Sequence, residues 1–280
     1  MTKPDLDSEQ HTHLDAILRS PAYRMAEDDV TFLESDAARS SRLALEFMRA
    51  DFYLREHRID STVVVFGGSR IVSPQLAQVE LQQARSHGDP ARLSRAESAL
   101  RWSRYYTESQ ELSRILSSTQ NGKVRRDFVI VTGGGPGIME AANRGAAECG
   151  APSIGFNISL PVEQQPNPYI TPELALRFHY FALRKMHFLL RARALVAFPG
   201  GYGTMDEVFE SLNLVQTGKI RPIPIVLVGK EHWQRVMDLD YLTEQGFLTE
   251  AERGLATVVD TGAEAARVVL DFHGQSVAAA

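Results

Sequence analysis

The chain is almost without cysteine: Cys149 is the single one among 280 residues. One thiol cannot close an intramolecular disulfide, and no C-x-x-C or Cys/His cluster offers a metal site. Cys149 itself, late in a predicted helix, reads as a small buried residue rather than a reactive thiol. Net positive charge is also lacking. The 30 basic residues stand against 35 acidic ones, giving a formal charge of −5. Nucleic-acid binding usually shows as a strongly basic face, so no nucleic-acid partner is expected. No apolar run approaches the ~20 residues that cross a bilayer, so no membrane partner is expected. The opening MTKPDLDSEQHTHLD lacks the apolar core of a signal peptide, and the expectation is a cytoplasmic protein.

What is present describes an ordinary globular chain, 44% hydrophobic and 23% charged, without internal repeats or low-complexity stretches. Residues 1 to about 28 are polar and mixed, which predicts a mobile tail and a short helix. From Val30 to about His57 the pattern turns helical, with Leu43, Phe47, Ala50 and Leu54 on one stripe. Residues 1–60 therefore read as a helical extension, packed on the main domain or on a partner chain.

The pattern then changes to short continuous apolar runs, each ending in glycine. Thr62–Phe66 precedes Gly67-Gly68, Phe128–Val131 precedes Gly133-Gly134-Gly135, Leu195–Phe198 precedes Gly200-Gly201, and Ile223–Val228 precedes Gly229. Shorter runs at Ile154–Phe156 and Leu174–Phe178 read as further strands. Continuous apolar runs mark strands covered on both faces, as in a parallel sheet. Helical stretches alternate with them at Ile138–Cys149, Phe181–Arg193, Met205–Thr217 and Ala263–Phe272. The predicted fold is therefore α/β, a doubly wound, Rossmann-like, mostly parallel sheet over residues 61–280. Residues 74 to about 121 interrupt the alternation and read as a two-helix insertion broken near His87-Gly88-Asp89-Pro90.

In such sheets ligands sit beyond the carboxyl ends of the strands, near a switch in strand order. Glycine there admits close backbone approach, and free N–H groups at a helix start attract anions. Tight turns also need glycine for their own sake, but three such loops at equivalent strand ends favour a phosphate ligand. The Walker pattern is absent. The dinucleotide fingerprint also fails, because Ile138 and Asp206 stand where its last glycine belongs. A single phosphate held by converging loops fits better than a triphosphate or NAD.

Two segments carry candidate chemistry. In Pro199-Gly200-Gly201-Tyr202-Gly203-Thr204-Met205-Asp206-Glu207, the Thr204-x-x-Glu207 spacing is that of a capping box. The same Glu207 also stands one helical turn from the anion loop, where a carboxylate stabilises positive charge on a ribose or orients water. Both readings stay open at this level. In Tyr180–His187, Ala182, Met186, Leu189 and Leu190 are expected to form the buried helix face. Arg184, His187, Phe188 and Arg191 share the opposite one, either as a solvated basic face or as a contribution to the site.

Val131-Thr132-Gly133-Gly134-Gly135-Pro136-Gly137-Ile138-Met139-Glu140-Ala141-Ala142-Asn143, the Arg184-Lys185 pair and PGGYGTMDE together resemble the Lonely Guy (LOG) family. These are cytokinin riboside 5′-monophosphate phosphoribohydrolases, often mislabelled lysine decarboxylases. The resemblance covers roughly residues 60–230, and the extension and insertion resemble the longer bacterial members. It implies that Arg184 and Glu207 are catalytic. It further implies that Gly200, Gly201, Gly203 and Thr204 cradle phosphate and that Lys185 binds the substrate or its phosphate. Gly134, Gly135, Gly137, Met139, Glu140 and Asn143 would form a second wall of the nucleotide site. Gly68, Ser69 and Arg70 match the first loop and are expected to bind the substrate or its phosphate, although shorter members usually read CGSS there, so Arg70 is a departure. The implied reaction releases the base from a purine nucleoside 5′-monophosphate, AMP or its N6-isopentenyl form, without metal or organic cofactor. The implied assembly is a homodimer or larger, with sites at the interface. A lysine decarboxylase would need a pyridoxal-bearing lysine, and none of Lys3, Lys123, Lys185, Lys219 or Lys230 lies in the expected Ser-x-His-Lys setting. The rival from another class is a non-catalytic nucleotide sensor or carrier, for which the Arg184 and Glu207 pair has no evident use.

Overall fold

The computed structural model describes residues 6–119, 126–160 and 165–274. Lys3 and Lys123, and the far end of the expected insertion, lie outside the described residues. The chain divides into two compact units, Met1–Arg49 and Ala50–Ala280. The first carries α1 (Ser8–Arg19), α2 (Val30–Glu34) and the start of α3 (Arg39–Glu56). Asp7 closes a capping box on α1 with Gln10, which satisfies two otherwise free amides.

In the second unit, the predicted alternation is realised as β1 (Thr62–Phe66), β2 (Val129–Thr132), β3 (Ser153–Ile158), β4 (Ala175–Phe178), β5 (Ala192–Ala197), β6 (Ile225–Val228) and β7 (Ala256–Val259). They form one sheet in the order β4-β3-β2-β1-β5-β6-β7, and every pairing is parallel. The continuous apolar runs are explained by the strand period of two. Val64, Phe66, Val129, Val131, Leu195, Ala197 and Leu227 face one core; Val63, Val65, Ile130, Val196, Val226 and Val228 face the other. Each fully buried valine or leucine contributes roughly 1.5–3 kcal/mol of transfer free energy. The edge strand β4 instead alternates exposed and buried residues.

Three helices, not the two expected, fill the insertion: α4 (Pro74–His87), α5 (Pro90–Trp102) and α6 (Arg104–Ser118). The break at Gly88, in the left-handed conformation, falls where the sequence placed it. The further break, at Ser103, went unread because the buried face of α6 mixes Tyr105, Leu112 and Leu116 with Ser109, Ser113 and Ser117. Serine masks the apolar period, yet small residues are what this contact needs. A side chain at Gly145 of α7 (Ile138–Glu148) would strike the Gln110 carbonyl of α6.

On the remaining connections lie α8 (Phe181–Leu190), α9 (Tyr202–Gln216), α10 (Lys230–Val236), α11 (Leu239–Glu244), α12 (Glu250–Arg253) and α13 (Gly262–Phe272). The last three short helices before α13 and the edge strand β7 carry too little apolar period to be read from sequence. Cys149 caps α7 and is half-buried rather than buried, its thiol donating to the Arg114 carbonyl at 3.6 Å. One further expectation is overturned. The face of α8 that packs inward carries His187 and Phe188, while Ala182, Met186 and Leu190 are exposed. Among the described residues no helix is long and apolar enough to cross a membrane.

Candidate active site

The strand order reverses at β1, whose chain connection leads to β2 on one side while β5 pairs on the other. This switch point opens a crevice beyond the strand ends. A cleft of about 880 Å³ lies there, walled by the loops after β1 and β5. The loop after β1 is tied to both neighbours: Gly68 N–H donates to the Pro199 carbonyl after β5 at 2.8 Å, and the Gly68 carbonyl accepts from Ile138 N–H after β2 at 3.3 Å. Gly137, at φ 74°, makes the close passage possible, since a Cβ there would lie 2.5 Å from the Gly68 carbonyl.

Gly68, Ser69, Arg70, Met139, Gly200, Gly201, Gly203 and Thr204 all line the cleft, as do Arg184 and Glu207. The rest of the expected second wall stands behind it. Gly134 N–H donates to the Thr132 hydroxyl, and the Gly135 carbonyl accepts from Asn167. Asn143 is fully buried: its Oδ1 accepts from Thr132 and Asn167, and its Nδ2 donates to Ser153. Glu140 accepts from the Tyr106 hydroxyl at 2.8 Å. These groups shape the glycine loop rather than face the cleft.

Helix α9 starts at Tyr202 with Gly201 as its cap, so Thr204 lies inside the first turn and does not cap it. The capping reading of Thr204-x-x-Glu207 therefore fails. Glu207 is 7% exposed and lines the cleft instead. Burial pushes its carboxyl up to about 7; Lys185 and Arg184 pull the other way, while Glu210 and Asp206 add to the rise.

Arg184 is aimed at the same cleft by main-chain acceptors. Its Nε donates to the Phe156 carbonyl at 2.7 Å, its Nη2 approaches the Gly133 carbonyl at 3.5 Å, and its guanidinium lies 5.3 Å above the Phe188 ring. Burial lowers its pKa and the charge of Glu207 opposes this; a guanidinium stays cationic regardless. Lys185, next in sequence, does not line the cleft. Its ammonium lies 2.8 Å from Asp206 Oδ2 and 2.9 Å from Glu210 Oε2.

Among the lining side chains that the sequence did not single out are Trp102 and His232. His232 follows the glycine at the end of β6, a position that signals a site in this fold class. Its Nε2 accepts from the Gly200 N–H at 3.4 Å, which places the ring proton on Nδ1, and burial lowers its pKa. Trp102 sits at the end of an insertion helix, edge-on to His232 at 6.0 Å. No local pattern foretells that meeting. Among the described residues no group of three or more His, Cys, Asp or Glu is placed to hold a metal ion.

Residues 139–269 match the family model described as possible lysine decarboxylase. The chain is 30% identical over 158 residues to the pyrimidine/purine nucleotide 5′-monophosphate nucleosidase of Escherichia coli strain K12, covering 51% of this chain and 33% of that protein. It is 29% identical over 146 residues to a probable cytokinin riboside 5′-monophosphate phosphoribohydrolase of Oryza sativa subsp. japonica, covering 50% of this chain and 62% of that one. Among solved structures, the molybdenum cofactor binding protein from Rippkaea orientalis aligns with 76% of this chain and 98% of its own, at 15% identity and a TM-score of 0.48. The matched region thus spans a third of the Escherichia coli relative and about three fifths of the rice one. The chain is therefore similar, over about half of its length, to the family described as possible lysine decarboxylase and to relatives named as nucleotide 5′-monophosphate nucleosidase and cytokinin riboside 5′-monophosphate phosphoribohydrolase.

Proposed function

We propose that this protein hydrolyses the N-glycosidic bond of a purine nucleoside 5′-monophosphate, releasing free base and ribose 5-phosphate. The observation that carries the reading is the convergence of Arg184 and Glu207 on the cleft that the glycine loops after β1 and β5 enclose. The phosphate binds at the amino end of α9, where the helix dipole is positive and the amides ahead of Thr204, whose own N–H donates to the Gly201 carbonyl at 3.0 Å, precede the helical ladder. Gly201 and Gly203 leave that approach open, since a side chain at either would meet nothing within 4 Å.

Bond cleavage passes through an oxocarbenium-like ribose. Glu207 lies where its ionised carboxylate stabilises that charge or holds the attacking water. The water oxygen bonds to C1′ as the C1′–N bond breaks, and the departing base takes up a proton. Arg184 holds the substrate and assists departure of the base. AMP and N6-isopentenyl-AMP are the candidate substrates, and the cytokinin-activating role belongs to this proposal. The assembly proposed with it is a homodimer or larger.

Decarboxylation of lysine is disfavoured by the residues themselves. No lysine lines the cleft among the described residues, and Lys185 is engaged by two carboxylates. The test is chromatographic detection of free base after incubation with AMP or isopentenyl-AMP. Wild type is expected to release base, and Glu207→Gln to lose ~10²–10³ in rate, the usual cost of one electrostatic contact. Binding of nucleotide by folded wild type with no base release establishes a carrier or sensor instead.

A further inference from the structure

We infer that Lys185 is a positioning residue that sets the charge state of Glu207 by neutralising the two carboxylates flanking it on α9. The inference rests on reading Glu207 as the catalytic carboxylate. Asp206, Glu207 and Glu210 crowd one turn of α9, and Asp206 and Glu210 stand four apart on one face. Like charges at that spacing repel, and both lie close to the buried Glu207. Lys185 answers this from α8. Successive helix residues point about 100° apart, so Arg184 turns to the cleft while Lys185 turns to α9. Its ammonium bridges Asp206 Oδ2 at 2.8 Å and Glu210 Oε2 at 2.9 Å, with the side chain 18% exposed. The carboxylate partners are more open, 61% exposed at Asp206 and 35% at Glu210, so solvent screens the bridge to Asp206 more than that to Glu210.

The other charged groups facing Glu207 do not replace it. Arg184, also from α8, spends its guanidinium on the Phe156 and Gly133 carbonyls. Across the cleft stand Arg70 from the loop after β1 and His232 from α10, the latter depressed toward its neutral form by burial. Of the charges acting on the Glu207 carboxyl, that of Lys185 is the strongest and favours ionisation, against Glu210 and Asp206. Without the lysine, both flanking negative charges act on Glu207 against Arg184 alone.

The experiment follows the Glu207 carboxyl directly, by NMR of protein carrying isotope-labelled glutamate, its resonance identified by its loss in Glu207→Gln. Wild type is expected to titrate near 7. Lys185→Met should raise that midpoint by about one pH unit, the usual effect of losing a neighbouring opposite charge. Lys185→Arg should restore it, and Glu210→Gln should lower it. A midpoint unmoved in Lys185→Met overturns the inference. Should that variant not fold, a Glu210→Gln midpoint that fails to fall overturns it equally. The readout needs no turnover, so absence of base release would count against the proposed reaction alone. Where base is released, the acidic limb of the rate profile should move with the NMR midpoint.

Discussion

At the scale of single residues, the site is costly to the fold, and Glu207 shows how. Its carboxyl is held near 7 by burial, against an ordinary value of 4.5. The folded protein therefore binds a proton more tightly than the unfolded chain. The stability linked to this group is fully present below the ordinary value and is lost as pH rises through about 7. Glu207→Gln removes the buried charge while keeping the shape. The variant should be more stable than wild type well above neutrality, on the order of 2 kcal/mol, and the difference should vanish in mild acid. Urea denaturation at both conditions measures it, and equal stability throughout would contradict the burial of an ionising group. Arg184 and Glu207 were legible in the sequence because each belongs to a contiguous motif. Trp102 and His232 were not, because they lie 130 residues apart and only the closed insertion brings them to one cleft.

At the scale of elements, the start of α9 separates what the fold needs from what a ligand needs. Gly203 lies in the first turn with space for a methyl group, so the glycine has no structural reason there. Gly203→Ala should leave thermal stability unchanged or raise it by about 0.5 kcal/mol through lower chain entropy. If phosphate docks on this turn, the same variant should bind AMP about tenfold or more weakly, roughly 1.4 kcal/mol. Calorimetric titration beside thermal melting reads both, and undiminished affinity would move the phosphate elsewhere. Helix α8 gives the opposite case. Phe188 is fully buried, 4.9 Å from the Phe66 ring and 5.2 Å from Phe156. Phe188→Ala should cost about 3–4 kcal/mol by urea denaturation. It should also impair activity, because the Phe156 carbonyl orients Arg184. The strands were legible because two-sided burial writes an unbroken apolar run. The faces of α8 were not, because its apolar stripe and its buried stripe are different stripes: Arg184, His187 and Phe188 turn inward.

At the scale of the whole molecule, that outward apolar stripe is the remaining question. Met186 and Leu190 are 46% and 51% exposed, and Phe272 of α13 is 54% exposed. With Leu189, Leu214 and Ile223 they line a second cavity of about 730 Å³ bordered by Lys185 and Glu210. Soluble monomers rarely present contiguous apolar surface of this kind without a use for it. The helix that supplies the stripe also delivers Arg184 to the cleft, so anything covering the stripe braces that helix. A second copy of the chain related by a two-fold axis would bury the same patch on both partners. Analytical ultracentrifugation should find wild type as a dimer or larger at micromolar concentration. Leu190→Glu, exposed and outside the cleft, should shift it toward monomer without loss of folding, since a charge replaces surface rather than core. If the assembly supports the site, base release per chain should fall with that dissociation and also on dilution of wild type. A monomeric wild type, or a dissociated variant with full activity, would place the whole reaction within one chain and leave the stripe to another partner.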